Sequence, residues 1–282
     1  MTAAPAAALD AAAAARVTLV LGATDTGKTA LITRLAVALA ERGELIGVVD
    51  ADLGQSDVGP PTTVGLGLVR GAIERLEQAE TVALDFLGIT SPVHDLRRTV
   101  DATARLVRHA LALGCRRVLV DTSGLVEGDR GRALKQLKID GVAPDLLIAL
   151  QRDTECEPIL AAYEGRARPA IVRLPAAAGP PRSQAARRRE RERRLAAHFI
   201  GAALVDFDLA RVEIRPALDT DGLVVIEIAD ALVGLVGGDG WTLGLGWVRG
   251  VDLDAGRVMV ETTVDARRVA AITIGLERGR AA

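Results

Sequence analysis

Short runs of valine, isoleucine and leucine alternate with longer stretches of helical period through the first two thirds of the chain. "RVTLVLG" (16–22) predicts a strand, and a helix follows over about 28–42. "LIGVVDAD" (45–52), "TVALDFLG" (81–88), "RRVLVDTSG" (116–124), "DLLIALQ" (145–151) and "PAIVRLP" (169–175) predict further strands, with helical stretches between them. The Ser91-Pro92 pair suits a helix N-cap and first turn. Strands this uniformly apolar are buried on both faces, so the alternation predicts a parallel sheet covered by helices on both sides. "PAAAGPP" (175–181) reads as a loop, and the arginine-rich helix of residues 182–200 follows it. After Gly201 the texture changes to short apolar segments separated by Gly- and Asp-containing turns, which predicts a small β domain over 202–282, a barrel among its possible forms.

Composition narrows the reading. Of 282 residues, 49% are hydrophobic but only 2% aromatic, so an ample core must be aliphatic. The net charge of −2 excludes a polycation, and any nucleic-acid affinity has to come from a local patch. The alanine-rich stretch 1–15 lacks the basic start of a signal peptide and reads as a disordered tail. No apolar run approaches the roughly 20 residues of a membrane span. Cys115 and Cys156 are far apart, as ordinary thiols of a cytoplasmic protein would be. Lysine occurs only at Lys28, Lys135 and Lys138, against 32 arginines, so the position of the first lysine carries information.

That lysine lies in "GATDTGKT" (22–29), a GxxxxGK[ST] pattern between a predicted strand and a predicted helix. Gly22, Ala23, Thr24, Asp25, Thr26 and Gly27 would turn successive backbone N–H groups inward around phosphate oxygens, with Ala30 opening the helix behind them. Lys28 would neutralise the β- and γ-phosphates, and Thr29 would ligate Mg²⁺. In "VVDADLGQ" (48–55), Asp50 and Asp52 alternate on one side of a strand end and can both look into the phosphate crevice. One could position a nucleophile and the other hold Mg²⁺; a pair of turn aspartates is the plainer alternative. Asp121 ends the apolar strand "VLVDTSG" (118–124) in the Walker-B manner. Together these predict an α/β P-loop NTPase, a three-layer parallel sheet with a small C-terminal β domain, binding ATP and Mg²⁺.

Several segments, in order, resemble the polynucleotide 5′-hydroxyl kinases of RNA maturation. They are the P-loop with its internal aspartate, "VDADLGQSDVGPPTTVGL", "FLGITSP" (86–92), "DTSGLVEGDRGRALKQLKIDGVAPDLLIALQ", and the arginine-rich "RSQAARRRERERRLAAHFIG". The small β domain, with "LVGL…LGLGWV", is similar to that family's C-terminal domain. The resemblance implies a kinase domain over 16–201 with residues 182–200 as its lid, transferring the γ-phosphate of ATP to the 5′-hydroxyl end of RNA or DNA. It implies Asp52 as base, Gln55 in the same motif, Thr29 on the metal, for which the strand-end positions of Asp50 and Asp121 already make them candidates, and Thr122 and Gly124 in a clasp near the phosphates. Arg182 and Arg187 match the lid arginines that stabilise the moving phosphoryl group, and Ser91 falls in the Ser-Pro segment. Leu125 stands where the family clasp usually has tryptophan, and His198 where the lid has tyrosine.

Other readings compete. A regulatory ATPase of the partitioning type would carry an extra lysine early in the P-loop, where this chain has Ala23 and Thr24. A GTPase metallochaperone would need a base-reading NKxD and a cysteine cluster, and neither occurs. A catalytically weak nucleotide-binding subunit of an RNA-processing complex is compatible with Leu125. His94 and His109 read as ordinary helix residues. The arginine run alone is compatible with a solvated helix face, although so many like charges on one helix call for an anionic partner.

Overall fold

The computed structural model describes residues 4–177, 182–217 and 228–279. Seven strands form the first sheet: β1 (Val17–Gly22), β2 (Ile46–Ala51), β3 (Thr63–Val69), β4 (Glu80–Phe86), β5 (Arg117–Thr122), β6 (Leu146–Gln151) and β7 (Ala170–Pro175). Their order is β4-β3-β2-β5-β1-β6-β7. Strands β2, β5, β1, β6 and β7 are mutually parallel, whereas β3 and β4 extend the sheet as antiparallel neighbours. The helices are α1 (Ala6–Ala14), α2 (Lys28–Ala40), α3 (Leu96–Ala112), α4 (Gly128–Val142), the one-turn α5 (Glu157–Leu160) and α6 (Gln184–His198). Successive strand residues point to opposite faces. Val20, Val48, Leu119 and Ile148 pack under α1 and α2, and Leu19, Leu21, Val49 and Val120 pack under α3, α4 and α5. This is the three-layer α/β arrangement of a P-loop NTPase. No helix among the described residues is long and apolar enough to cross a membrane.

Three local readings differ from the sequence expectations. The alanine-rich stretch is not a disordered tail where it is described: it forms α1, with Ala8 and Ala12, one turn apart, fully buried against the α2 layer. Alanine has the best helix propensity, and its short side chain lets two helices approach closely. Strand β3 has no counterpart among the predicted strands. It carries Gly65, where an added Cβ would sit 2.0 Å from the Val58 carbonyl oxygen, so the chain crossing the sheet there dictates a residue that masks the strand pattern. Ser91 does not cap α3. A short 3₁₀ turn (Pro92–His94) intervenes, and Asp95 caps the helix by accepting from the Arg98 amide at 2.9 Å.

The remaining strands are β8 (Ala203–Asp208), β9 (Glu213–Pro216), β10 (Ala231–Gly237), β11 (Thr242–Asp252), β12 (Arg257–Thr262) and β13 (Val269–Arg278). They form a second sheet in the order β8-β12-β11-β10-β13-β9, antiparallel except for the β13–β9 pair, and carry their own core around Phe207, Val233, Val248, Val260 and Ile272. Among the described residues its edge strands β8 and β9 are not paired into a closed barrel. The apolar run expected at about 222–227 lies outside the described residues, as does the 178–181 part of the loop before α6.

The two sheets are joined at β4. The Phe86 amide donates to Thr242 Oγ1 at 3.1 Å, and the Leu276 amide donates to the Gly88 carbonyl at 2.9 Å. Gly88 has φ 69°, and a Cβ on it would lie 2.4 Å from Gly275 Cα, so only glycine permits this approach. By contrast, no residue of α6 is fully buried. The helix lies over the first sheet on polar contacts and reaches the second through Leu195, Phe199 and His198, whose Nε2 accepts from the Leu245 amide at 3.1 Å.

Candidate active site

A crevice of about 330 Å³ opens where the C-terminal ends of β1, β2 and β5 meet, the edge at which parallel sheets bind ligands. Its floor is the loop between β1 and α2. Thr24, Asp25, Gly27, Lys28, Thr29 and Ala30 line it directly. Gly22 ends β1 beneath them, and Thr26 turns inward to donate to the Ala23 carbonyl at 2.9 Å. Ala23 itself faces a neighbouring cleft with Val126 and Arg152. Lys28 Nζ donates to the Ala23 carbonyl at 2.8 Å, and burial lowers its pKa despite the opposing charges of Asp121 and Asp52. The β5 side comes in closely at Gly124, where a Cβ would lie 2.3 Å from Thr24 Oγ1. Thr122 lines the crevice while its hydroxyl donates to the Val20 carbonyl at 2.8 Å.

Behind Thr29 sits Asp121, accepting the Thr29 hydroxyl at 2.6 Å. Its burial raises its carboxyl to about 6, with the negative charges of Asp52 and Asp57 adding to the rise and Lys28 opposing it.

Asp50 and Asp52 part company. Asp52 lines the crevice, held in place as its Oδ1 accepts from the Gly54 and Gln55 amides at 3.1 Å. Asp50 does not line the crevice, and neither does Asp121, its register partner on β5; what sets Asp50 apart is that backbone amides take up its oxygens. Its two oxygens accept the amides of Asp52, Asp57 and Val58 and face the Ser56 hydroxyl, so it is fully buried as the organiser of the loop after β2. Burial and the neighbouring charges of Asp121 and Asp57 drive its pKa well above the usual carboxylate range. Ser91 likewise lies outside the crevice lining.

Helix α6 closes the other side. Ser183 caps it, its Oγ accepting from the Ala186 amide at 3.1 Å. Arg182 donates to Asp25 through its backbone amide at 2.8 Å and its Nε at 3.1 Å, and Arg187 reaches the same carboxylate at 3.1 Å. Partial burial pushes the Asp25 carboxyl upward, but the hydrogen bonds and charges of the two arginines prevail and hold it below its usual range. Gln55 Nε2 donates to the Arg187 carbonyl at 3.0 Å, tying the loop after β2 to the helix.

Sequence reasoning missed Arg194, which lines the crevice and bridges Asp57 at 2.7 Å and Glu77 at 2.6 Å. Its position two turns beyond Arg187 was the available signal. It also left Lys135 and Lys138 unused. Both are fully buried beneath the site, Lys135 donating to the Ser123 carbonyl, and Lys138 pushed down to about 8 by desolvation. All three lysines of this arginine-dominated chain therefore lie at or under the phosphate crevice.

Sheet order, P-loop and crevice define a P-loop nucleotide-binding protein. The chain belongs to the family described as mRNA cleavage and polyadenylation factor CLP1 P-loop, whose model matches residues 22–201. It is 34% identical over 195 residues to a polyribonucleotide 5′-hydroxyl-kinase of Pyrococcus furiosus, a match covering 69% of this chain and 53% of that one. It is 27% identical over 295 residues to the polyribonucleotide 5′-hydroxyl-kinase of Thermococcus kodakarensis, covering 87% and 83% of the two chains. Against the Pyrococcus relatives the chain spans about half their length or less. The solved structure of the wild-type Clp1p–Pcf11p complex superposes with a TM-score of 0.72 at 14% identity, over 93% of this chain and 74% of that one, which establishes the shared fold.

Proposed function

We propose that this protein transfers the γ-phosphate of ATP to the 5′-hydroxyl end of a polynucleotide, RNA or DNA. The observation that carries the proposal is the convergence of opposite chemistries at one crevice: a P-loop lysine, an oriented carboxylate at Asp52, and two arginines, Arg182 just before α6 and Arg187 on it, both paired with Asp25 of the loop. In this reading the P-loop amides and Lys28 hold the triphosphate, and Lys28 exchanges the Ala23 carbonyl for phosphate oxygens. Thr122 and Gly124 border the phosphates. Asp52, with Gln55 beside it, accepts the proton of the 5′-hydroxyl as that oxygen bonds to the γ-phosphorus and the bond to the β,γ-bridging oxygen breaks, leaving ADP. Arg182 and Arg187 leave Asp25 for the transferring phosphoryl group, whose charge they offset.

The residues fit Mg²⁺. A hydroxyl and a carboxylate, Thr29 and Asp121, are in contact behind the phosphate position, and the buried Asp121 accepts from the Thr29 hydroxyl and the Thr122 amide, with no ion pair among the described residues. Mg²⁺ keeps several waters and takes further oxygens from phosphates, so this small set suffices. When bound it would neutralise and orient the phosphates.

The test is direct. The pure protein is incubated with γ-labelled ATP and 5′-hydroxyl RNA or DNA oligonucleotides, and label on the oligonucleotide is compared with free phosphate. Transfer to the 5′ end supports the proposal. Phosphate release without transfer is the behaviour of a regulatory ATPase, nucleotide binding alone that of a catalytically weak subunit, and either overturns it.

A further inference from the structure

Among the described residues the crevice is lined by no aromatic side chain, so they offer no face on which a nucleobase can stack there. An aromatic pair lies across α6 instead. Phe199 and Trp247 stack with ring centres 5.8 Å apart and planes 28° apart, and the Arg249 guanidinium sits 5.9 Å from the Trp247 ring. They border a groove of about 700 Å³ between α6 and the second sheet, lined by four arginines (Arg188, Arg191, Arg249 and Arg278) and three glutamates, of which Glu277 accepts from the Thr90 hydroxyl.

Helix α6 thus has two working faces. Arg194 lines the crevice, and Arg187, seven residues before it, pairs with Asp25 at the crevice floor. Arg191, Leu195 and Phe199, at successive four-residue steps, serve the groove. Arg188 is matched by Glu192, and Arg249 by Asp230 and Glu261. The Arg191 side chain has no hydrogen bond or ion pair among the described residues, and the Arg278 guanidinium donates only to the backbone carbonyls of Gly275 and Glu277. Two cations without carboxylate partners beside an aromatic pair match an anionic backbone carrying flat bases.

Groove and crevice are continuous. Arg191 Nη1 lies 3.9 Å from where a Cβ on Gly54 would stand, and the Asp52 carboxylate lies 3.7 Å from the same point. From Arg191 to Phe199 is eight residues of helix, about 12 Å at ~1.5 Å per residue. At about 3.4 Å per stacked nucleotide that is a span of roughly three to four nucleotides.

We infer that this groove receives the single-stranded polynucleotide downstream of its 5′ end, with Arg191 on the backbone near the reacting end and Trp247–Phe199 stacking a base about three to four nucleotides further on. The inference rests on the kinase reading for which end lies in the crevice. The groove's affinity for a single strand does not depend on catalysis.

The experiment uses the full chain and 5′-hydroxyl oligonucleotides two and eight nucleotides long. In Trp241→Phe protein, Trp247 is the remaining indole, and its fluorescence should be quenched by the octamer and not by the dinucleotide. Trp247→Ala should weaken octamer binding roughly tenfold, whereas Trp247→Phe, which keeps a stacking face, should retain most of it. Arg191→Ala should reduce the slope of log affinity against log salt by about 0.7. Thermal melting and ATP affinity report whether each variant is folded. If Trp247→Ala fails to fold, the Phe variant, the quenching and the salt slope still decide. An octamer that binds equally well to all variants, leaves the indole unquenched, or does not bind the wild type overturns the inference. Normal phosphoryl transfer with unaffected variants overturns the groove alone. Octamer binding lost in the variants of a protein without transfer activity overturns only the kinase reading.

Discussion

Replacing Asp25 with asparagine should tighten the binding of a nucleoside triphosphate. In the nucleotide-free protein Asp25 holds both arginines that the proposed reaction requires at the γ-phosphate. Nucleotide must break these pairs and must also approach a carboxylate of its own sign. The Arg182 side chain is 56% exposed, so its pair is worth about 0.5 kcal/mol; Arg187 is 26% exposed, and its charge-assisted bond contributes about 1 kcal/mol. Their release, with the lost repulsion, should improve affinity by about 1–2 kcal/mol, roughly 5- to 30-fold. Asparagine is the informative substitute because Asp25 has φ 60°, a left-handed conformation that asparagine also adopts readily. Calorimetric titration with a non-hydrolysable ATP analogue measures the effect. The gain should shrink as salt screens the pairs in the wild type. Equal or weaker binding by the variant would show that Asp25 does not compete for these arginines, and the reasoning would fail.

Four other outcomes follow from the same geometry. Lys28→Ala should reduce transfer to background while the protein still melts cooperatively; activity within about tenfold of wild type at saturating ATP would sink the P-loop role. Arg187→Ala should lower kcat by roughly 10³-fold, and Arg193→Ala, which removes only an exposed pair with Glu190, should leave kcat alone; equal losses would make the helix a general anion patch. Asp52→Asn should abolish transfer and leave nucleotide binding near wild type, while Asp50→Ala should instead lower the unfolding free energy by about 2–4 kcal/mol by stranding buried amides; the reverse pattern would exchange their roles. Asp121, raised from 3.8 to about 6 in the folded protein, holds its proton there at pH values where the unfolded chain has lost it, so stability should fall as pH rises through that window by up to about 3 kcal/mol. Asp121→Asn should flatten this slope in chemical denaturation from about pH 4 to pH 7, and parallel curves for the two proteins would refute it.

The parts legible in the sequence were those whose chemistry is local. A P-loop places its glycines, lysine and threonine consecutively, so the strand, loop and helix around Lys28 can be read without knowing the rest of the chain. The difference between Asp50 and Asp52 cannot be read that way. Strand alternation puts both on one side, and what separates them is the path of the next six residues, which turn back so that three amides converge on Asp50. Strand β3 was hidden because Val58 crosses it and requires Gly65, a constraint written seven residues away. Arg194 was one arginine among seven until Asp57, 137 residues earlier, gave it a partner.

Helix α6 buries none of its residues fully. Moving it away from the crevice breaks ion pairs at Asp25 and Asp57 and parts Leu195 and Phe199 from Trp247 and the small apolar cluster of Phe86 and Leu245. Heat-capacity change follows exposed apolar area, so this displacement should carry only a small one. Its equilibrium then varies weakly with temperature and steeply with ionic strength. The position of the helix is set by the ions and polyanions around it far more than by warmth.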